Sequence, residues 1–137
     1  MSNTIQNLQE AMQRAESIRP KIGGFPYLAE TLRQAGAIRN FWYLPSCHSI
    51  FQTDQGAVAV QTTPLVSGMV DVPAFNGAAL IKALRSDQAG ETTFPQFLEA
   101  SWKAGVVHYD VDFVARTISY YGVHGEVYVE EYAAVIL

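Results

Sequence analysis

The residues best equipped for chemistry fall in two short stretches. In VVHYDVDF, His108, Asp110 and Asp112 alternate with apolar residues. In an extended chain this places one imidazole and two carboxylates on a single face, about 7 Å apart. Carboxylate oxygens with an imidazole would suit a divalent cation, and Glu126, Glu130 and His124 follow within the next two turns and strands. In PSCHS, Cys47 and His48 lie between Ser46 and Ser49 and supply a thiol and a base. A thiolate nucleophile needs its imidazole placed through space, a third group to orient it and donors for the developing oxyanion, and neighbours in sequence do not provide this. A metal-binding protein using His108, Asp110 and Asp112, or a small hydrolase-type enzyme with Cys47 and His48 as catalytic residues, are therefore the chemical alternatives. The plainer readings are a solvated strand face for the first stretch and a turn for the second.

A third signal is aromatic. Trp42, Tyr43, Tyr120, Tyr121 and Tyr128 sit in strand-like segments, where they could line a groove for an apolar or planar ligand or pack within a sheet. Phosphate-cradling glycine loops, zinc spacings and nucleophile elbows do not occur in the sequence. The leading expectation is a non-enzymatic accessory module that binds a protein or small-molecule partner through an aromatic surface, as a homodimer and without a cofactor.

These residues must be positioned by elements that the apolar pattern outlines. Ile5, Leu8, Met12, Ala15 and Ile18 form one helical stripe, with Asn3 as its expected cap and Pro20 and Gly23-Gly24 as its stop. A second helix is predicted from Phe25, with Pro26 in its first turn and Gly36 as its left-handed terminator. IRNFWYL from Ile38, HSIFQT from His48 and AVAVQT from Ala57 read as three strands, the last two joined at Asp54-Gln55-Gly56.

The second half repeats this order. Asp71 is the expected cap of a helix from about Val72 to Gln88, and Thr93 to Gln96 is a capping box opening the next. Strands follow over Val106 to Phe113, Arg116 to Tyr121 and Glu126 to Tyr132. Shifting the sequence by 69 residues superposes Phe25-Pro26 on Phe94-Pro95, Ala35-Gly36 on Ala104-Gly105, Gly56 on Gly125, Val58 on Val127 and Val60 on Val129. The expected fold is α+β, with two ααβββ repeats related by internal duplication and antiparallel meanders packed on helices. One domain spans residues 1–137, with repeat one over about 1–62, a linker over about 63–72 and repeat two over about 73–137. One joined sheet and two separate sheets both fit this pattern.

A chain of 137 residues buries roughly 68–70% of its unfolded surface. It therefore needs no disulfide staple, and its one cysteine could form none within the chain. A net charge of -4 without a basic stripe argues against nucleic acid. No apolar run approaches the roughly 20 residues that span a bilayer, so a cytoplasmic, membrane-free protein is expected. The C-terminal AAVIL is expected to bury against the core or a second copy.

DVPAF from Asp71, ALRSDQAGETTFPQFLEASWKAGVVHYDVDF from Ala83 and TISYYGVHGEVYVEEY from Thr117 resemble the YbcV-like family, labelled "phage envelope protein", a domain of unknown function. NFWYLPSCHS from Asn40 resembles the first half of the same family. The resemblance implies a small bacterial or prophage-borne protein and brings no catalytic residue with it.

Overall fold

The computed structural model describes residues 2–137. Helices α1 (Asn3–Ile18) and α2 (Phe25–Gln34) precede strands β1 (Ala37–Tyr43), β2 (His48–Thr53) and β3 (Gly56–Gln61). The order then recurs as α3 (Gly77–Gln88), α4 (Phe94–Lys103), β4 (His108–Asp112), β5 (Thr117–Tyr121) and β6 (Val127–Glu131). All six strands join one antiparallel sheet in the order β3-β2-β1-β4-β5-β6. The chain is thus α+β, with β1 and β4 pairing at the centre of a single sheet.

Local signals account for most boundaries. The α4 capping box forms: Thr93 Oγ1 accepts from Gln96 N–H at 3.3 Å, and Gln96 Oε1 accepts from Thr93 N–H at 2.9 Å. Gly36 and Gly105 follow α2 and α4 with φ of 103° and 89°, angles at which a side chain would be strained. Two caps differ from expectation. Ser2 rather than Asn3 caps α1, accepting from Ile5 N–H at 3.2 Å. Asn76 rather than Asp71 caps α3, accepting from Ala79 N–H at 3.0 Å. The delay has a packing cause, because residues 71–75 run as an irregular strap whose Ala74 and Phe75 lie directly over Gly105. The strap is tied there by Asn76 N–H donating to Ala104 O at 2.8 Å.

The apolar stripes meet the sheet on one face. Leu8, Ala11, Leu32, Leu80, Leu84, Phe97 and Leu98 pack with Phe51, Val58, Tyr109, Val111 and Ile118 in one core. Fully buried leucines such as Leu80 each contribute about 2–3 kcal/mol. α1 packs on α2, and α3 on α4. The two pairs meet where Gly23 N–H, after α1, donates to Gln88 O at the end of α3, at 2.9 Å. The other face of the sheet carries His48, Arg39, Phe41, Tyr43, His108, Asp110, Asp112 and Tyr121, none of which joins the core beneath the helices.

The 69-residue correspondence holds in the pairing of β1 with β2 and of β4 with β5: Tyr43 faces His48 as Asp112 faces Thr117, and Asn40 faces Phe51 as Tyr109 faces Tyr120. It fails at the last hairpin. Phe51 faces Val58, whereas Tyr120 faces Tyr128 instead of Val127. A one-residue slip turns every side chain to the opposite face. Tyr128 and Glu130 therefore point toward the helices, and Val127 and Val129 are about half exposed, at 54% and 52%. The wider loop has its own support, since Glu126 Oε1 accepts from His124 N–H at 2.9 Å and Gly122 N–H donates to Glu126 O. In the C-terminal tail Val135 is half-buried, but Ile136 and Leu137 are exposed, so of the two expected burials the one against the protein's own core does not occur for them.

Candidate functional site

Sheet, helices and the loops between them surround a partly open cavity of about 1150 Å³, slightly above the roughly 300–1,000 Å³ that small-molecule sites occupy. Its floor is the helix-side face of the sheet. Its sides come from α1 and α2 of one half and α3 and α4 of the other, and the loops after α1 and α3 lie across it. Both halves are needed to form it.

Strand parity decides what the floor presents. Trp42, Tyr109, Tyr120 and Tyr128 occupy one row across β1, β4, β5 and β6, with neighbouring ring centroids 6.1, 5.5 and 6.5 Å apart, and the first three line the cavity. Phe94, at the start of α4, meets Trp42 edge to face at 5.3 Å. Burial pushes the phenols of Tyr109 and Tyr120 well above their ordinary range, so both stay neutral. Beside this row, Ser49 is buried and its Oγ has no hydrogen-bond partner. An unsatisfied buried hydroxyl costs about 1–3 kcal/mol, which makes it unusual beside a row of aromatic rings.

Charge enters from the helix ends. Glu130 is held by Arg85, Gln88 and Tyr128; burial works against its ionised form, but these bonds prevail and keep its carboxyl below the usual range. Arg19 pairs with Glu16 at 3.3 Å. Asp87, near the end of α3, accepts from Thr92 Oγ1 at 3.3 Å. Burial raises its carboxyl pKa, and the Thr92 bond and the charge of Arg19 only partly offset this.

The aromatic residues picked out by sequence divide between the two faces. Trp42, Tyr120 and Tyr128 belong to the cavity side. Tyr43 and Tyr121 belong to the bare face, where His48, Tyr43, His108 and Tyr121 form a second row with centroids 4.5, 5.9 and 4.5 Å apart. Cys47 and His48 also separate. The thiol is buried, lines the cavity, donates to Leu44 O at 3.3 Å and has its pKa raised by burial. The imidazole lies 2.5 Å from Ser46 Oγ and stacks on Tyr43. No thiol–imidazole pair is assembled.

His108, Asp110 and Asp112 share a face, as their alternation requires, but each has another engagement. Asp110 pairs with Arg39 at 3.2 Å, Asp112 accepts from Val114 and Ala115 N–H at 3.0 and 2.9 Å, and His108 stacks on Tyr121. Among the described residues no three His, Cys, Asp or Glu side chains converge as a metal site would require. Likewise among these residues, no helix is long and apolar enough to cross a membrane.

The sequence from residue 15 to residue 131 matches the family described as protein of unknown function (DUF1398). The chain belongs to that family. It is 51% identical over 135 residues to uncharacterized proteins of Mycobacterium bovis and Mycobacterium tuberculosis, an alignment covering 98% of this chain and 82% of each relative. Neither Asp87 nor Ser49 is marked for chemistry by the sequence pattern: Asp87 falls at the end of a predicted helix, and Ser49 only flanks the Cys47-His48 pair.

Proposed function

We propose that this DUF1398 protein is a non-enzymatic module that binds a small, largely apolar and planar molecule between its two helix pairs. The observation that carries this reading is the cavity of about 1150 Å³ floored by the Trp42, Tyr109 and Tyr120 row, with the Ser49 hydroxyl unsatisfied in its wall. An aromatic floor supplies large, rigid contact area to a flat ligand, and an unpartnered hydroxyl supplies direction. The pathways to chemistry are correspondingly poor, because the buried Cys47 thiol is protonated and points away from His48. The phage-envelope resemblance adds no chemistry to this reading.

Trp42 reports on the site. With Trp102→Phe removing the other indole, titration with the neutral planar dye Nile red should quench Trp42 and shift the dye's emission to that of an apolar environment. Dye emission that stays aqueous, with Trp42 unchanged at tens of micromolar protein, would overturn the proposal.

The same reading treats the chain as an internal duplication. What supports it is the shared register of β1 with β2 and β4 with β5, and the equivalent bonds from Leu44 N–H to Val107 O and from Phe113 N–H to Ile38 O, both 3.0 Å. A duplication of this kind would make a cavity between copies from elements that a single copy uses only as surface.

A further inference from the structure

We infer that the ligand is an organic cation, a flat apolar body bearing a protonated amine that pairs with Asp87. This rests on the cavity reading above and adds the charge of the occupant.

The charged groups around the cavity are not equally available. Glu16 and Arg19 neutralise one another at 3.3 Å, and Glu130 is bonded by Arg85. Lys21 and Glu131 are exposed. Asp87 is different: it is half-buried, lines the cavity and, among the described residues, has no basic side chain within ion-pair distance. Among the described residues its only side-chain hydrogen bond is the one from Thr92. An ionised carboxylate beside an apolar space is costly unless a positive charge joins it.

The floor points the same way. Tyr109 and Tyr120 line the cavity with their rings set against one another and against Trp42, so they surround its space with apolar material rather than with water. In such surroundings the charge of Asp87, which reaches both phenols, is poorly screened. An anionic ligand would meet Asp87, whose charge Arg19 offsets only in part. A neutral ligand would leave the carboxylate unpaired. A protonated amine satisfies it, while the Ser49 hydroxyl, next to Trp42 at the β2 end of the same row, has no partner of its own.

The test uses one aromatic body with three head groups: 1-pyrenemethylamine, 1-pyrenemethanol and 1-pyreneacetate, each titrated into the full-length protein at pH 7 and read by pyrene anisotropy. A charge-assisted hydrogen bond is worth about 1.5–3 kcal/mol, so the amine should bind about tenfold or more tightly than the alcohol, and the acetate most weakly. Asp87→Asn should remove the amine's advantage over the alcohol. Equal binding of amine and alcohol, or an amine advantage that survives Asp87→Asn, overturns the cation inference while alcohol binding still upholds the cavity. Failure of all three to bind overturns the cavity reading itself. The ranking on unmodified protein decides the matter even if the variant does not fold.

Discussion

Ser49→Ala is a substitution whose effects on stability and on binding should run in opposite directions. The side chain is 1% exposed and its Oγ has no partner, so the folded protein carries the desolvation of a hydroxyl without the bond that would offset it. That penalty is about 1–3 kcal/mol. Against its removal stand a slightly poorer strand propensity for alanine, a few tenths of a kcal/mol, and the loss of one atom's packing. The net expectation is a gain of about 1 kcal/mol. For a domain of this size that is a rise in Tm of about 3 °C, seen in denaturant as a higher midpoint with an unchanged slope. Ser101→Ala provides the comparison: its Oγ is likewise buried and unpartnered, but it lies on α4 away from the cavity. It should also stabilise, by about 0.5 kcal/mol more because alanine is the better helix former. Only Ser49→Ala should weaken 1-pyrenemethanol, about threefold to tenfold for the loss of one neutral hydrogen bond. A fall in Tm for Ser49→Ala would mean that its hydroxyl is satisfied in the folded protein, and the case for it as a waiting ligand contact would collapse.

The slipped register of β6 predicts that Val127→Lys and Val129→Lys, on the bare face, change stability by less than about 0.5 kcal/mol, whereas Tyr128→Ala costs about 3 kcal/mol. Thermal melts giving the reverse order would restore the uninterrupted repeat and refute the register. Hydrogen bonding from Arg33, at 2.6–2.7 Å, lowers the Glu30 carboxyl to about 2, against opposing burial and with help from Gln34. Because that pKa is depressed on folding, its stabilisation is present above the ordinary value of 4.5 and is lost as pH falls toward 2. Arg33 is 43% exposed, so solvent screening limits the effect to about 0.5 kcal/mol. Glu30→Gln should therefore melt slightly lower than the unaltered protein at pH 7 and match it near pH 2; a difference that persists in acid would count against the ion pair.

What could be read from sequence was what local physics decides. Apolar spacing marked four helices and six strands, the Thr93 capping box and the glycines after α2 and α4 set helix ends, and alternation placed His108, Asp110 and Asp112 together. Parity held more than was taken from it. Trp42 and Tyr43 are adjacent on β1, as Tyr120 and Tyr121 are on β5, so one of each pair had to face away from any site formed by the other. Treating them as one aromatic surface joined two faces that the sheet separates. The slip at β6 was hidden because the valines at 127 and 129 matched those at 58 and 60 in letter, while the bonds of Glu126 in the loop decide which residues cross the strand boundary. The cavity lay further out of reach, since it belongs to no element. It exists because β1 pairs with β4 and places both helix pairs on one side of a single sheet, with the loops after α1 and α3 meeting through Gly23 and Gln88. That contact brings the end of α3, and with it Asp87, over tyrosines from β4 and β5 that sequence alone places in a different part of the chain. A carboxylate that reads as solvated turn chemistry becomes, by this one closure, a charge in apolar surroundings.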